Sequence, residues 1–186
     1  MFRMSGIFRD VYLYNVPKVS VRDHYITCLL DKDKNYKSGT MNVKLSLDNR
    51  DKLKGTKNLL VRLLDPEGRK VAESEVAVKY APSSPVSTAN VSFDLSGLSL
   101  WTAETPTLYT VQVIQRQGGK DEMAFSTKYG FRDIEVKGAL LYLNGKRVFF
   151  KGTNRHDTHP VYGRAVTTES MLWDVLTMKQ NNINTI

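Results

Sequence analysis

Residues 151–186 read KGTNRHDTHPVYGRAVTTESMLWDVLTMKQNNINTI. The run from Arg147 to Lys151 leads into them with the residues of a buried strand. A polar loop follows, holding two of the three histidines, His156 and His159. Thr167 or Thr168 can cap a helix, with Glu169 in its first turn where a negative charge suits the helix dipole. Met171, Leu172, Val175, Leu176 and Met178 recur at helical spacing and predict one apolar stripe for packing on a sheet. Lys179 stands near the helix end, Asn181-Asn182 breaks it, and a second strand begins over Asn182 to Ile186. Strand, helix, strand opens a parallel α/β fold, and one such unit cannot close a sheet by itself. The chain is therefore expected to be a piece of something larger.

Upstream, residues 15–132 have a different grammar. Met41, Val43, Leu45 and Leu47 alternate with Asn42, Lys44, Ser46 and Asp48, the period of two of a half-buried strand. Asn58 to Leu64 and Lys70 to Tyr80 flank Asp65-Pro66-Glu67-Gly68, in which Pro suits the second turn position and Gly the end. Val91, Phe93 and Leu95 share one face. So do Tyr109, Val111 and Val113, and Gln117-Gly118-Gly119-Lys120 turns that strand into Met123 to Tyr129. About seven strands in this span, with no credible helix, predict an immunoglobulin-like β-sandwich. The two-cysteine signature of antibody domains is missing, so only the architecture follows. Beyond Phe131, Asn144-Gly145 is the pair that best tolerates positive φ in a two-residue hairpin turn. The fold class expected is mainly β: the sandwich, then an incomplete first β/α unit.

Bulk properties set limits on function. The chain has 186 residues, 41% of them hydrophobic and 25% charged, a globular composition. A net charge of +8 permits binding to acidic surfaces, but the basic residues are scattered singly and form no stripe. A solvated surface is the better reading, with no nucleic-acid partner expected. Cys28 is the one cysteine, so no intrachain disulfide exists; Thr27-Cys28-Leu29-Leu30 suggests a buried structural thiol. No apolar run of eighteen residues predicts a membrane span, and Met1 to Gly6 has no signal-peptide core.

Several stretches together resemble one family, the multidomain β-galactosidases of glycoside hydrolase family 2. Residues 3–11, from Arg3 to Val11, resemble the end of that family's N-terminal sugar-binding jelly roll. Residues 100–109, LWTAETPTLY, resemble its Leu-Trp-Ser-x-Glu-x-Pro-x-Leu-Tyr segment. Gly130-Phe131-Arg132, the Asn144-Gly145-Lys146 turn, Gly152-x-Asn154-Arg155-His156 and Met178-Lys179-Gln180-Asn181-Asn182 resemble the entry to its (β/α)8 barrel. The resemblance implies three parts: 1–14 the end of the jelly roll, 15–132 the sandwich, and 133–186 the truncated start of the catalytic barrel. The family signature Asn-x-hydrophobic-Arg-x-x-His-Tyr-Pro is matched only in its first three positions, by Asn184, Thr185 and Ile186.

The resemblance implies retaining hydrolysis of terminal non-reducing β-D-galactose residues in the parent enzyme. That reaction needs two carboxyl groups about 5–5.5 Å apart. In the family both are glutamates beyond Ile186, so no catalytic residue is expected here and the piece alone is expected to be inactive. Family magnesium ligands also lie downstream; Mg2+, and Na+ as a further candidate, belong to the parent, and no cofactor is expected in this piece. By resemblance, His156 contacts the galactosyl hydroxyls from the C-terminal end of the first barrel strand, where such barrels place their chemistry. A neutral imidazole both donates and accepts, which suits hydroxyls. Arg155 can assist at that site or pair with a neighbouring carboxylate. His159 is expected to order the loop.

Other readings of the same residues compete with these. A zinc site at His156, Asp157 and His159 has the wrong spacing for one helical face and no third ligand. Trp101 serves either as an aromatic anchor of the sandwich or as a sugar-stacking platform, and the anchor is favoured. For the whole, the alternatives are a β-glucuronidase or other family 2 glycosidase, or a stand-alone carbohydrate-binding module. The parent is expected to take a β-galactoside, to form homo-oligomers, and to have no membrane partner. Its compartment, bacterial cytoplasm or periplasm, is not legible.

Overall fold

The computed structural model describes residues 6–186, which fall into two units: residues 15–147, and residues 6–14 with 148–186. In the larger unit, seven strands follow one another: β1 (Ser20–Leu30), β2 (Ser38–Asp48), β3 (Gly55–Leu64), β4 (Lys70–Tyr80), β5 (Val86–Ser96), β6 (Tyr109–Gln117) and β7 (Lys120–Tyr129). They form a three-stranded sheet in the order β1-β2-β5 and a four-stranded sheet in the order β4-β3-β6-β7. Every pairing among them is antiparallel. This is the immunoglobulin-like sandwich, with β4 kept beside β3 by their tight hairpin. In that hairpin Gly68 N donates to Asp65 O (3.0 Å), and Asp65 Oδ1 accepts from the amides of Glu67 and Arg69.

The alternation read from β2 holds: Met41, Val43, Leu45 and Leu47 are fully buried. They meet Leu59, Val61 and Leu63 of β3 and Val111 and Val113 of β6 in one apolar cluster. Phe131 closes it, 0% exposed, with edge-on contacts to Tyr109 (4.8 Å) and Tyr129 (5.1 Å). Cys28 is half-buried against this cluster, and burial pushes its thiol up to about 11.

Two polar groups share the inward parity of the apolar residues. Gln115 on β6 and Lys57 on β3 are both buried. Gln115 Oε1 accepts from Val21 N (3.0 Å), and its Nε2 donates to Val19 O (2.8 Å) and to Glu122 Oε2 (3.1 Å). A β-bulge between Val21 and Asp23 shifts the β1–β2 register there, and Gln115 bonds the backbone of β1 beside that bulge. Lys57 Nζ donates to the same carboxylate oxygen of Glu122, so the buried ammonium is paired.

Beyond the sandwich, β8 (Ile134–Lys137), β9 (Leu140–Leu143) and β10 (Lys146–Val148) make a small meander. Its second turn carries Asn144 and Gly145 at φ 49° and 75°, the positive pair the sequence predicts. Asn144 also joins the meander to the sandwich end. Its Oδ1 accepts from Asp133 N (2.9 Å), and its Nδ2 donates to Trp101 O (3.0 Å). Trp101 N in turn donates to Phe131 O (2.8 Å).

The smaller unit contains the helix α1 (Thr168–Gln180). Thr167 caps it, accepting from Ser170 N through Oγ1 (3.2 Å). Hydrogen bonds from its own backbone and from Thr167 hold the Glu169 carboxyl below the usual range in the first turn. At the other end Asn182 takes φ 60°, Asn182 N donates to Lys179 O and Ile183 N to Met178 O, a Schellman stop.

One expectation is corrected here. The run from Arg147 to Lys151 is not a buried strand: β10 ends at Val148, and Phe149 and Phe150 are 59% and 65% exposed. The apolar stripe on α1 has no sheet to pack on among the described residues: no residue of that helix is buried, and Leu172, Val175 and Leu176 are exposed. Apolar pattern marks a face that can be buried, while burial itself needs neighbours. The described residues 6–14 contain no strand, and residues 1–5 of the stretch likened to a jelly-roll end lie outside the described residues.

Candidate functional site

The smaller unit brings the two ends of residues 151–186 together in parallel. Gly152 and Thr185 form a parallel bridge, with Thr153 N donating to Thr185 O (3.1 Å) and Asn184 N to Lys151 O (3.0 Å). The Asn184 side chain strengthens the junction. Its Oδ1 accepts from Lys151 N (2.8 Å) and its Nδ2 donates to Phe149 O (2.8 Å), so one amide satisfies two backbone groups of the facing segment. Of the strand–helix–strand connection expected from the sequence, only this isolated parallel bridge and its hydrogen bonds form, and residues 182–186 make no strand.

Directly after the bridge, Arg155 and His156 meet opposite circumstances. The Arg155 side chain is only 19% exposed and is held by two carboxylates. Its Nε donates to Asp174 Oδ2 (2.7 Å), and Nη1 pairs with Asp157. Nη2 lies 2.7 Å from the same Asp174 oxygen without hydrogen-bond alignment. Asp174 first and Asp157 second raise the guanidinium pKa further. Arg9 adds a second cation at Asp157 (3.4 Å) and donates to Arg164 O (3.3 Å). Arg155 therefore pins the loop to the helix.

His156 is exposed, and its carbonyl accepts from Thr158 N (2.8 Å). Its imidazole has no hydrogen-bond partner among the described residues, so both ring nitrogens are available to a ligand. His159, three residues on, orders the loop. Its Nδ1 accepts from the amides of Val161 (3.1 Å) and Tyr162 (3.3 Å), its ring stacks on Tyr162 at 4.8 Å, and its backbone exchanges two bonds with Gly163. An accepting Nδ1 leaves the proton of the neutral ring on Nε2.

Asp174 and Asn184 hold this site together, and their roles are not assigned from the sequence. Asp174 is the one acidic residue among the apolar positions of Met171 to Met178, which is a usable signal. Asn184 offers none, because its function depends on which segment lies opposite. Among the described residues no three His, Cys, Asp or Glu side chains gather as metal ligands, so no residue here is assigned to magnesium or zinc. Trp101 lies elsewhere, in the sandwich unit. It is half-buried at the sandwich end, packed against Gly130 and Arg132, while Phe131 fills the core.

Residues 19–132 match the family model described as glycosyl hydrolases family 2, and residues 134–186 match that of glycosyl hydrolases family 2, TIM barrel domain. Similar proteins include β-galactosidases of Clostridium acetobutylicum (40% identical), Streptococcus thermophilus (38%) and Lactobacillus delbrueckii subsp. bulgaricus (36%), each aligned over all of this chain. The chain spans 17–19% of the length of these curated relatives. A family 2 glycosyl hydrolase structure from Bacteroides cellulosilyticus is similar with a TM-score of 0.83 at 20% identity, over 91% of this chain and 23% of that one. A Parabacteroides merdae β-glucuronidase reaches 0.76 at 25% identity, over 90% and 20%.

Proposed function

Because the chain belongs to glycosyl hydrolases family 2, we propose that it is part of a β-galactosidase that hydrolyses terminal β-D-galactose residues with retention. Alignment of all of this chain at 36–40% identity with parts of three β-galactosidases supports this reading best. In it, residues 15–132 are the sandwich domain, acting as a structural spacer, and residues 133–186 begin the catalytic barrel. Residues 1–14 close a jelly-roll domain upstream. The acid/base and nucleophile are glutamates of later barrel strands, and the parent's Mg2+ is held there too.

His156 then stands at the mouth of the first barrel strand and exchanges hydrogen bonds with galactosyl hydroxyls. Its unpartnered imidazole supports the assignment. Bonds that tighten as charge develops in the sugar ring lower the barrier, while bonds of constant strength only lower KM. Arg155 contributes by position: tied to Asp174 and Asp157, it fixes the backbone from which His156 projects.

A β-glucuronidase is the second reading, because solved β-glucuronidases share the fold at 24–25% identity. The higher identity to β-galactosidases favours the first. The test uses the 186-residue chain with chromogenic β-galactoside and β-glucuronide. No turnover of either is expected, because in this reading both catalytic glutamates belong to later barrel strands. Galactoside turnover abolished by His156→Ala would overturn the assignment of catalysis to later strands.

A further inference from the structure

The sandwich unit carries a concave site that the proposed hydrolysis does not use. It is a cleft of about 510 Å³ whose lining includes Trp101, Leu108, Lys128, Arg132 and Ile134. That size falls in the range of small-molecule clefts, roughly 300–1,000 Å³. Leu108, Ile134 and the indole give it an apolar wall, and none of its lining residues bears a carboxylate.

Its arginine is unlike the other arginines of the sandwich strands. The Arg132 guanidinium carbon lies 4.7 Å over the Trp101 ring, an arrangement that fixes the group and leaves its N–H edge free. Lys128 Nζ makes one hydrogen bond, to Thr110 Oγ1 (2.8 Å), and keeps further donors. Elsewhere on the sandwich the arginines face acids: Arg62 meets Glu73, Arg69 meets Asp65 and Glu67, and Arg116 meets Asp121 and Glu75. Arg132 and Lys128 have no carboxylate partner among the described residues. Both line the one cleft.

We propose that this cleft binds an anionic saccharide, its carboxylate or sulfate paired with Arg132 and Lys128 and its ring face against Trp101, Leu108 and Ile134. A planar fork grips a carboxylate through two parallel bonds, while an ammonium adds a point charge without fixed direction. The apolar wall takes the C–H face of a sugar ring, which a bare inorganic anion would leave uncovered. Gly130 keeps the indole close: a Cβ there would sit 2.8 Å from Trp101 Cβ. This site lies within residues 101–134 and does not rest on the galactosidase reading.

The test titrates the 186-residue chain, carrying Trp173→Phe so that Trp101 is the only indole, with three tetrasaccharides: galacturonic acid, a sulfated glycan and a neutral galactan. Saturable change in Trp101 fluorescence is expected with one or both anionic sugars, and these two arms decide which anion is read. The neutral sugar should bind at least tenfold more weakly, as should the anionic sugar to Arg132→Gln. Lys128→Gln, at an exposed position, should weaken binding severalfold and keeps the test decisive if Arg132→Gln fails to fold. Unchanged affinity in both variants, equal binding of the neutral sugar, equal binding of an acidic hexapeptide, or no binding at all would overturn the proposal.

Discussion

Arg155 Nε donates to Asp174 Oδ2 at 2.7 Å, joining the loop that follows the Gly152–Thr185 bridge to the middle of α1. The pair is partly screened from water, with side chains 19% and 32% exposed, so removing one partner strands the other charge in a partly desolvated position. Removing Asp174 leaves the guanidinium with Asp157 alone. Asp174→Asn is expected to loosen the loop locally, because a neutral amide keeps the shape and loses the charge. Hydrogen exchange of residues 153–166 should accelerate accordingly, and a double-mutant cycle with Arg155→Gln should show coupling. Independent effects of the two changes would mean the contact is incidental.

Phe131 sits at the meeting of Tyr109 and Tyr129 and is fully buried. Phe131→Ala should destabilise the sandwich by about 3–5 kcal/mol in urea unfolding, by lost burial plus the cavity left behind. Gly130→Ala, one residue earlier, drives a methyl into Trp101 and should cost about 1–3 kcal/mol. Loss of less than 1 kcal/mol in both would show that this end of the sandwich is not packed as described.

Acid should act on the sandwich through Glu122. Burial pushes its carboxyl up, but hydrogen bonds from Lys57 and Gln115 and the Lys57 charge outweigh burial, and the group ends below the usual range. A depressed carboxyl contributes stability that is present above its unfolded pKa and lost as pH falls through its folded one. Stability should therefore fall below about pH 4.5. Glu122→Gln should flatten that acid limb and, by stranding the buried Lys57 ammonium, lower stability at pH 7 as well. Urea midpoints from pH 3 to 7 in both proteins test this; parallel curves would contradict it.

Cys28, pushed up to about 11 by burial, should alkylate slowly in the folded chain. At pH 8 its thiolate fraction is roughly a hundredfold below that of a free cysteine. Iodoacetamide labelling should show that difference between native and urea-unfolded protein. Equal rates would place the thiol in solvent.

Much of the fold is legible because its signals are local. Met41 to Leu47 alternate, Asp65-Pro66-Glu67-Gly68 and Asn144-Gly145 carry their turn chemistry, and Thr167 and Asn181-Asn182 bound α1 where capping residues should. What escapes sequence reading depends on partners distant along the chain. Gln115 stands at an inward position after Tyr109, Val111 and Val113, and only the bulged backbone of β1 opposite explains a polar residue there. Phe149, Phe150 and the α1 stripe have the composition of buried groups, yet the described residues leave them exposed. At the candidate site, Arg155 and His156 are neighbours in sequence with opposite surroundings. That difference comes from Asp157, Asp174 and the turn at Thr158, and no spacing rule contains it.

The most direct measurement replaces the aligned fifth of the Clostridium acetobutylicum β-galactosidase with this 186-residue chain and compares kcat/KM for β-galactoside and β-glucuronide. The expected result is galactoside hydrolysis that falls about ten- to hundredfold in His156→Ala, mainly through kcat, with no gain of glucuronide turnover. A folded chimera with unchanged activity after His156→Ala, or one that prefers the glucuronide, would contradict it.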